Sequence, residues 1–488
     1  MILESAQQAD GGSFLHFRDA LGRRCAVYAR LAIPSGAGPF AAVIHCPGGG
    51  QTINDGDLAF WTSHGFACAS FDWQHGLYDG HDPARKSQWP QGVVAQGEGC
   101  QRTHQLILPL AVRAVSAVID WLERDQRIDR NCIGITGISW GGYLTWVANA
   151  HEPRLRAAVP VYGCGGVLDR GHPYLPRLPA HIRRAWLTDW EPSRLAQRQR
   201  SPVCFLSGSD DFFGWPRHGD RLLDALSVPS RRSYAANLDH AVEPSQSALA
   251  VAWMDRWLRG GPALPPAPQP GDVGTTWWTC STGDDDHHCW WPGRAPAWAT
   301  ARFVQTTHGA MMLSSPVERL TPRRGGSPLP AIWPDIRAGV GWNWGLSTTQ
   351  LHGNHGVGIK PLPGDPTRGV VTGNREGELA VILRMTADPR WNRPGFTGLR
   401  VRIAGLSRTP RQLHALFRLA GPGRRREVWL AVNMDAAGWV DIDRLPDGAS
   451  WTEATRIDLC GIPGRSFILG PIVATGPGRT PPVARRRS

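Results

Sequence analysis

The chain has 488 residues, 41% apolar and 19% charged. At roughly 150 residues per domain, with α/β domains often reaching about 250, that length suggests two domains. It is enough apolar material for a sizeable core, so the composition excludes disorder as the dominant state. The formal charge of +12 is uneven: residues 1–260 carry 26 basic against 24 acidic side chains, and residues 261–488 carry 27 against 17. Lys86 and Lys360 are the only lysines. An arginine surplus without a basic helix, zinc finger or aromatic RNA-binding signature does not point to nucleic acid.

No run of eighteen apolar residues exists, so no membrane partner is expected. The opening MILESAQQADGGSF has no basic stretch followed by an apolar one, which predicts a cytoplasmic protein, or a secreted one if the sequence starts from a processed form. The ten cysteines form no C-x-x-C pair, and Cys132 and Cys204 sit in apolar strand-like runs; this pattern suits a reducing compartment.

In chain order, FLHFR, RRCAVYARLAI and FAAVIHC (40–46) read as strands, the last running into PGGGQ. A helix follows around 55–64, then the strand ACASFDW and an irregular loop over 74–103. Leu108, Val112, Val115, Ile119 and Leu122 repeat at three- and four-residue spacing and predict an amphipathic helix over 104–125. NCIGITGIS is a strand entering a sharp turn, with the helix GGYLTWVANA behind it. RAAVPVYGC, PVCFLSG and RRSYAANL complete the strands, and 243–259 is a closing helix. Continuous apolar strands alternating with helices predict a doubly wound, mostly parallel sheet covered on both faces, an α/β-hydrolase-like domain over 1–260.

The boundary is GGPALPPAPQPG, with five prolines in twelve residues; 261–271 reads as a linker. Beyond it, ELAVILRM, GLRVRIAGL, HALFRLAG, REVWLAVNM, TRIDLCGI and SFILGPIVA predict an all-β sandwich, jelly-roll-like, over 272–478, and 479–488 is a basic solvated tail. Trp277-Trp278-Thr279-Cys280 and Cys289-Trp290-Trp291 are nearly mirror-symmetric. Read as a hairpin, they pair 278 with 291 and 280 with 289. His287 and His288 at its tip are adjacent, and adjacent strand residues point to opposite sides, so no metal site is expected there.

Gly137-Ile138-Ser139-Trp140-Gly141 matches G-x-S-x-G between a strand and a helix, the setting in which a serine sits on a strained elbow with its hydroxyl exposed. A serine nucleophile needs a base, and the base an orienting carboxylate. His240 follows the last strand and is the expected base; His151 and His172 compete but do not follow it. The strand PVCFLSG ends in Ser209-Asp210-Asp211, and Asp211 is preferred over Asp210 because only one of two adjacent side chains can reach the imidazole. Asp239 is placed in the turn. An oxyanion requires fixed N–H donors: the amide of Trp140, and one from the loop His45-Cys46-Pro47-Gly48-Gly49-Gly50. Pro47 has no N–H, so the donor must be one of the glycines, and Gly49 is the expected one. Trp73, His75, Tyr78 and Trp89 in one long loop, and Tyr174, Trp186 and Trp190 in the connection 165–200, lie at the carboxyl edge of the sheet and are candidate pocket residues.

HCPGGGQ, GISWGGYLTW, VPVYGCGG, GSDDFF and the last-strand histidine together resemble the acetylxylan esterase and prolyl-oligopeptidase-like, dienelactone-hydrolase-type group of α/β-hydrolases, over about residues 20–260. The resemblance implies an acid in a G-x-x-D pattern, here Gly208 to Asp211. It also implies serine hydrolysis without a cofactor, in a group that holds both carbohydrate esterases and peptidases. The peptidases usually carry a large N-terminal propeller, for which the roughly 40 residues before the third strand leave no room. The β-rich part resembles a carbohydrate-binding module in layout. The expected function is a serine esterase acting on a short acyl group of a carbohydrate or small metabolite. An amide or peptide hydrolase is the alternative, and a binding protein on a retired hydrolase fold a third reading. The arginine surplus of 261–488 makes an acidic glycan the expected partner of the second domain, if it binds polymers.

Overall fold

The structure is a computed structural model that describes residues 2–74, 83–94, 99–166, 178–211, 213–280, 289–322, 332–339, 358–372, 378–384, 396–406, 413–421, 424–445, 449–464 and 466–476. Its contacts separate into two compact units. The first comprises Met1–Ala235, His240–Gly274 and Val304–Val317; the second comprises Ala236–Asp239, Thr275–Phe303 and Glu318–Ser488.

The first unit is built on nine strands: β1 (Ser5–Ala9), β2 (Gly12–Arg18), β3 (Arg24–Ala32), β4 (Phe40–Cys46), β5 (Ala67–Phe71), β6 (Ile128–Ile138), β7 (Ala158–Val161), β8 (Val203–Gly208) and β9 (Ser230–Ala235). Their order across the sheet is β1-β2-β3-β5-β4-β6-β7-β8-β9. The first three strands are antiparallel additions, and from β5 to β9 every neighbouring pair is parallel. The helices are α1 (Asp55–Ser63), α2 (Ile107–Leu122), α3 (Trp140–His151), α4 (Ala180–Asp189), α5 (Pro192–Leu195), α6 (Pro216–Asp224) and α7 (Pro244–Leu258).

Leu58 and Trp61 of α1 join Leu249, Trp253, Met254 and Leu258 of α7 in one core with Val43, Cys68, Val159, Cys204 and Leu206 of the sheet. The alternate residues Ala42, Ile44, Ile133 and Ile135 are buried too. Side chains alternate across a sheet, so these point to the face taken by α2 and α3. Covering on both faces explains why the strands read as continuous apolar runs. Helix α2 starts at Ile107 rather than at 104. Pro109 then falls in the first turn, where its missing N–H has no intrahelical partner to lose; a start at 104 would have put it in the interior.

One segment beyond the proline-rich stretch belongs to the first unit. Leu313 is fully buried in the same core as Trp253 and Leu258. Tyr234 N donates to Ser314 Oγ at 2.9 Å, Gln305 Nε2 donates to Tyr234 O at 2.6 Å, and Val317 N donates to Asp220 Oδ2 at 2.8 Å. A boundary at 261–271 therefore separates by composition, while the first unit also takes in Val304–Val317.

The second unit's strands are β10 (Thr275–Thr279), β11 (Trp291–Pro292), β12 (Ala301–His308, which begins here and ends in the first unit), β14 (Glu318–Arg319), β15 (Gly358–Leu362), β16 (Asp365–Thr372), β17 (Glu378–Arg384), β18 (Gly398–Ala404), β19 (Leu413–Gly421), β20 (Arg424–Val432), β21 (Trp439–Ile442), β22 (Ala454–Pro463) and β23 (Ser466–Thr475); β13 (Met311–Ser314) lies in the first. Two antiparallel sheets, β15-β16-β23-β18-β21 and β17-β22-β19-β20, contain all six strands expected from the sequence. Leu399, Val401 and Ile403 of one sheet share a core with Ala415, Phe417, Ile457 and Leu459 of the other, as in a sandwich. Of the two expected hairpin pairs, Trp278 meets Trp291, their rings stacked at 5.3 Å; Cys280 and Cys289 lie outside the paired strands. All ten cysteines are thiols. His75, Tyr78, His172, Tyr174, His287, His288 and the tail 479–488 lie outside the described residues.

Candidate active site

Strand β6 delivers Ser139 into a turn that α3 leaves at once. Ser139 holds φ 55° and ψ −121°, a left-handed backbone that costs a serine energy and persists only where its surroundings enforce it. The surroundings are backbone. A Cβ on Gly137 would lie 2.4 Å from Gly141 O, and one on Gly141 would lie 2.0 Å from Cys46 O, both impossible approaches. The spacing of glycines around Ser139 is thus dictated by close packing of β6, α3 and the end of β4, whose Cys46 pairs with Gly137 in register. Ser139 N donates to Val161 O at 3.0 Å, tying the elbow to β7 as well.

Two strands away, Asp211 follows β8 and is sealed from solvent. Its Oδ1 accepts from the amides of Phe213 and Gly214, and its Oδ2 accepts from His240 Nδ1 at 2.8 Å. Asp210 turns the other way and accepts from Ser209 Oγ at 3.1 Å. Of the two adjacent aspartates, Asp211 meets the histidine. With Nδ1–H given to a carboxylate, the neutral imidazole carries its lone pair on Nε2, the tautomer a general base requires. His151 is engaged elsewhere: its Nε2 is 3.1 Å from Asp189 O, and its ring stacks on Trp190 at 5.2 Å.

The loop after β4 is fixed from two sides. Gly48 N donates to Gln51 Oε1 at 3.1 Å, and Trp73 Nε1 donates to Pro47 O at 2.8 Å. Gly49 is buried, and among the described residues no hydrogen bond takes up its N–H. Trp140 supplies the first amide of α3, where backbone N–H groups and the helix dipole favour negative charge.

The tryptophans expected to line a pocket have other roles. Trp73 is 0% exposed and clamps the Pro47 carbonyl, so it presents no face to a ligand. Trp186 is buried, and its Nε1 donates to the Tyr143 hydroxyl at 2.8 Å. Trp89 packs edge-on to Phe17 at 6.4 Å, and Trp190 covers His151. Trp73 and Trp186 are thus buried and line no pocket, which the sequence pattern could not foresee because a buried and an exposed tryptophan look alike in it; Trp89 and Trp190 are half-exposed.

Two residues of the site escaped the sequence reading. Glu191 is fully buried; it accepts from the Tyr143 hydroxyl at 3.1 Å, Gly166 N at 2.7 Å and Ser193 Oγ at 3.2 Å. Burial holds its carboxyl above the usual range. It anchors the helix carrying Ser139 to the chain following β7. The second is Tyr162, whose ring lies 4.3 Å from that of His240. Glu191 belongs to no motif; Tyr162 lies within VPVYGCGG, but nothing in that run marks its side chain as the one that meets the histidine.

This topology and elbow define an α/β-hydrolase. A model of the X-Pro dipeptidyl-peptidase (S15) family matches residues 94–176, the span that contains the elbow and Tyr162. The chain is 24% identical over 171 residues to dipeptidyl-peptidase 5 of Porphyromonas gingivalis, covering 30% of this chain and 25% of that protein. It is 46% identical over 46 residues to a protein of Salmonella typhi described as a carboxymethylenebutenolidase, covering 9% of this chain and 17% of that one. The chain thus spans a quarter or less of the length of these curated relatives. Among solved structures it is similar to acetyl xylan esterase 1 of Thermoanaerobacterium, at 18% identity and a TM-score of 0.41, over 52% of this chain and 86% of that one. The relatives are hydrolases, esterases and peptidases both.

Proposed function

We propose that the chain is a serine esterase. The observation that carries this reading is the sealed Asp211–His240 hydrogen bond, set at the same sheet edge as a serine in left-handed conformation. In this mechanism His240 Nε2 takes the Ser139 proton as Oγ attacks the acyl carbonyl. Asp211 stabilises the imidazolium, and the amides of Trp140 and Gly49 hold the oxyanion. His240 then protonates the leaving alcohol, and water, activated by the same histidine, hydrolyses the acyl-enzyme. No cofactor enters these steps. The substrate class is a short acyl ester, such as an acetyl group, on a carbohydrate or small metabolite. An acidic glycan at the second unit would use its arginines.

The S15 match and the dipeptidyl-peptidase relative favour a second reading, amide hydrolysis by the same three residues. A panel of p-nitrophenyl acyl esters of rising chain length, run beside aminoacyl and X-Pro amides, separates the two. Ester turnover that falls at least about a thousandfold in Ser139→Ala supports the esterase. Turnover of amides without short esters overturns it in favour of the peptidase.

A further inference from the structure

Tyr162 is the residue after β7, and it is buried with φ 32°. A glycine would adopt that backbone without strain; a tyrosine is held there against its preference. The hold is visible. Tyr162 N donates to Leu206 O at 2.7 Å. On either side of it, Val161 O accepts from Ser139 N, and Gly163 packs so closely on the elbow that a Cβ would stand 2.1 Å from Ser139 O. Residues 161–163 are therefore pinned to the backbone of the nucleophile, and the strained residue in their midst aims its side chain at the base. The ring planes of Tyr162 and His240 are tilted by 55° at 4.3 Å between centroids.

A hydrogen bond from Nδ1 to Asp211 fixes one atom of the imidazole. It leaves the ring able to swing about the line of that bond, which would carry Nε2 away from Ser139. A second rigid body against the ring face removes that freedom. Burial above all, with the charges of Asp211 and Asp57, pushes the Tyr162 phenol well above its usual range, so it stays neutral beside the imidazole.

We propose that Tyr162 is a positioning residue for His240, its aromatic ring holding the imidazole in the plane that directs Nε2 at Ser139. The proposal rests on Ser139, His240 and Asp211 acting as the reacting set. It assigns the role to the ring, and the hydroxyl is dispensable.

The test uses the intact chain carrying Tyr162→Phe, Tyr162→Leu or Tyr162→Gly, with Ser139→Ala beside them. Each is read by kcat and KM on p-nitrophenyl acetate, the pH profile of kcat/KM, and a thermal melt. Phe, which keeps the ring, should stay within about threefold of the parent with the same pH profile. Leu and Gly should lose about 10- to 100-fold in kcat at nearly constant KM, with a displaced acidic limb, since small misplacements of reacting groups cost rates of that order. Gly guards against misfolding: it relieves the left-handed strain, so its melt should be no lower than that of Leu. A Gly or Leu variant with parental kcat and pH limb overturns the proposal, and so does a Phe variant as slow as Leu. Ser139→Ala inactive alongside a fast Gly variant sinks the positioning role alone. Ser139→Ala fully active sinks the underlying reading, and the positioning role with it.

Discussion

His240 Nδ1 and Asp211 Oδ2 are 2.8 Å apart, with side chains 3% and 0% exposed. Water is therefore no competitor for either partner, and the low local dielectric strengthens the bond. The second oxygen of Asp211 is held by two backbone amides, so the carboxylate cannot turn toward another partner. Such a pair selects one imidazole tautomer and offers a counter-charge when the ring is protonated.

Asp211→Asn keeps the shape and removes the charge. It should cost about 10³- to 10⁴-fold in kcat on any ester that the enzyme turns over, because an amide permits the wrong tautomer. Asp210→Asn, whose parent carboxylate meets Ser209 Oγ, should stay within about tenfold. Steady-state kinetics of the two variants decide it; the reverse ranking would place the acid at Asp210.

Trp73 acts on the other half of the site. Trp73→Phe removes the donor to Pro47 O and leaves a buried carbonyl without it, a cost of about 1–3 kcal/mol. The carbonyl belongs to the loop carrying Gly49. With Gly49 as the proposed oxyanion donor, the expected result is a lower melting temperature together with a kcat reduced about tenfold at near-constant KM, since such a donor acts in the transition state. A lower melt with unchanged kcat would make Trp73 a packing residue only.

What the sequence made legible follows from how local each signal is. The elbow was readable because Gly137 and Gly141 are forced by contacts within one strand–turn–helix and its neighbour β4. Asp211 was readable because it follows β8, which is apolar over Val203–Leu206; His240 was readable only from its place after the last strand, since β9 opens on Ser230, Arg231 and Arg232. The six sandwich strands were readable from their apolar and alternating runs. Three things were not. Leading strand β1 is mostly exposed and carries no apolar signal. The connection expected over 165–200 contains helices α4 and α5, whose few buried residues, such as Ile182 and Trp186, give a faint period. Segment 304–317 returns to the first unit across the proline-rich stretch, a long-range pairing that no local pattern encodes.

That returning segment makes a stability prediction. Leu313 fills the core against α7, and Leu313→Ala should destabilise the first unit by about 2–5 kcal/mol, the cost of lost burial plus the cavity left behind. Denaturant melts of the intact chain, followed by loss of whichever activity the ester and amide panel detects, measure this. A chain ending at 271 lacks the segment altogether and should lose activity at lower denaturant than one ending at 320. Equal stability of the two truncations would show that the hydrolase core closes without it.

The arginine surplus beyond residue 260 makes the last prediction. Guanidinium forks pair bidentately with carboxylates, so the second unit should retain a polyuronate in preference to neutral xylan. Part of the surplus is already committed: Arg400 pairs with Asp441 on β21 while its guanidinium lies 5.0 Å from the Trp439 ring, and Arg456 pairs with Asp458. What remains exposed is screened over about 10 Å at 0.1 M salt, so retention should be clear at low ionic strength and vanish well below 1 M. Affinity electrophoresis of the intact chain in gels containing polyuronate or xylan reads this directly. A chain in which outward arginines such as Arg402 and Arg444 are changed to Gln should show less retardation in the polyuronate gel, measured relative to its own mobility in the xylan gel. Equal mobility of the parent in both gels at low salt would leave the arginines as solvating surface and remove the acidic glycan from the reading of this unit.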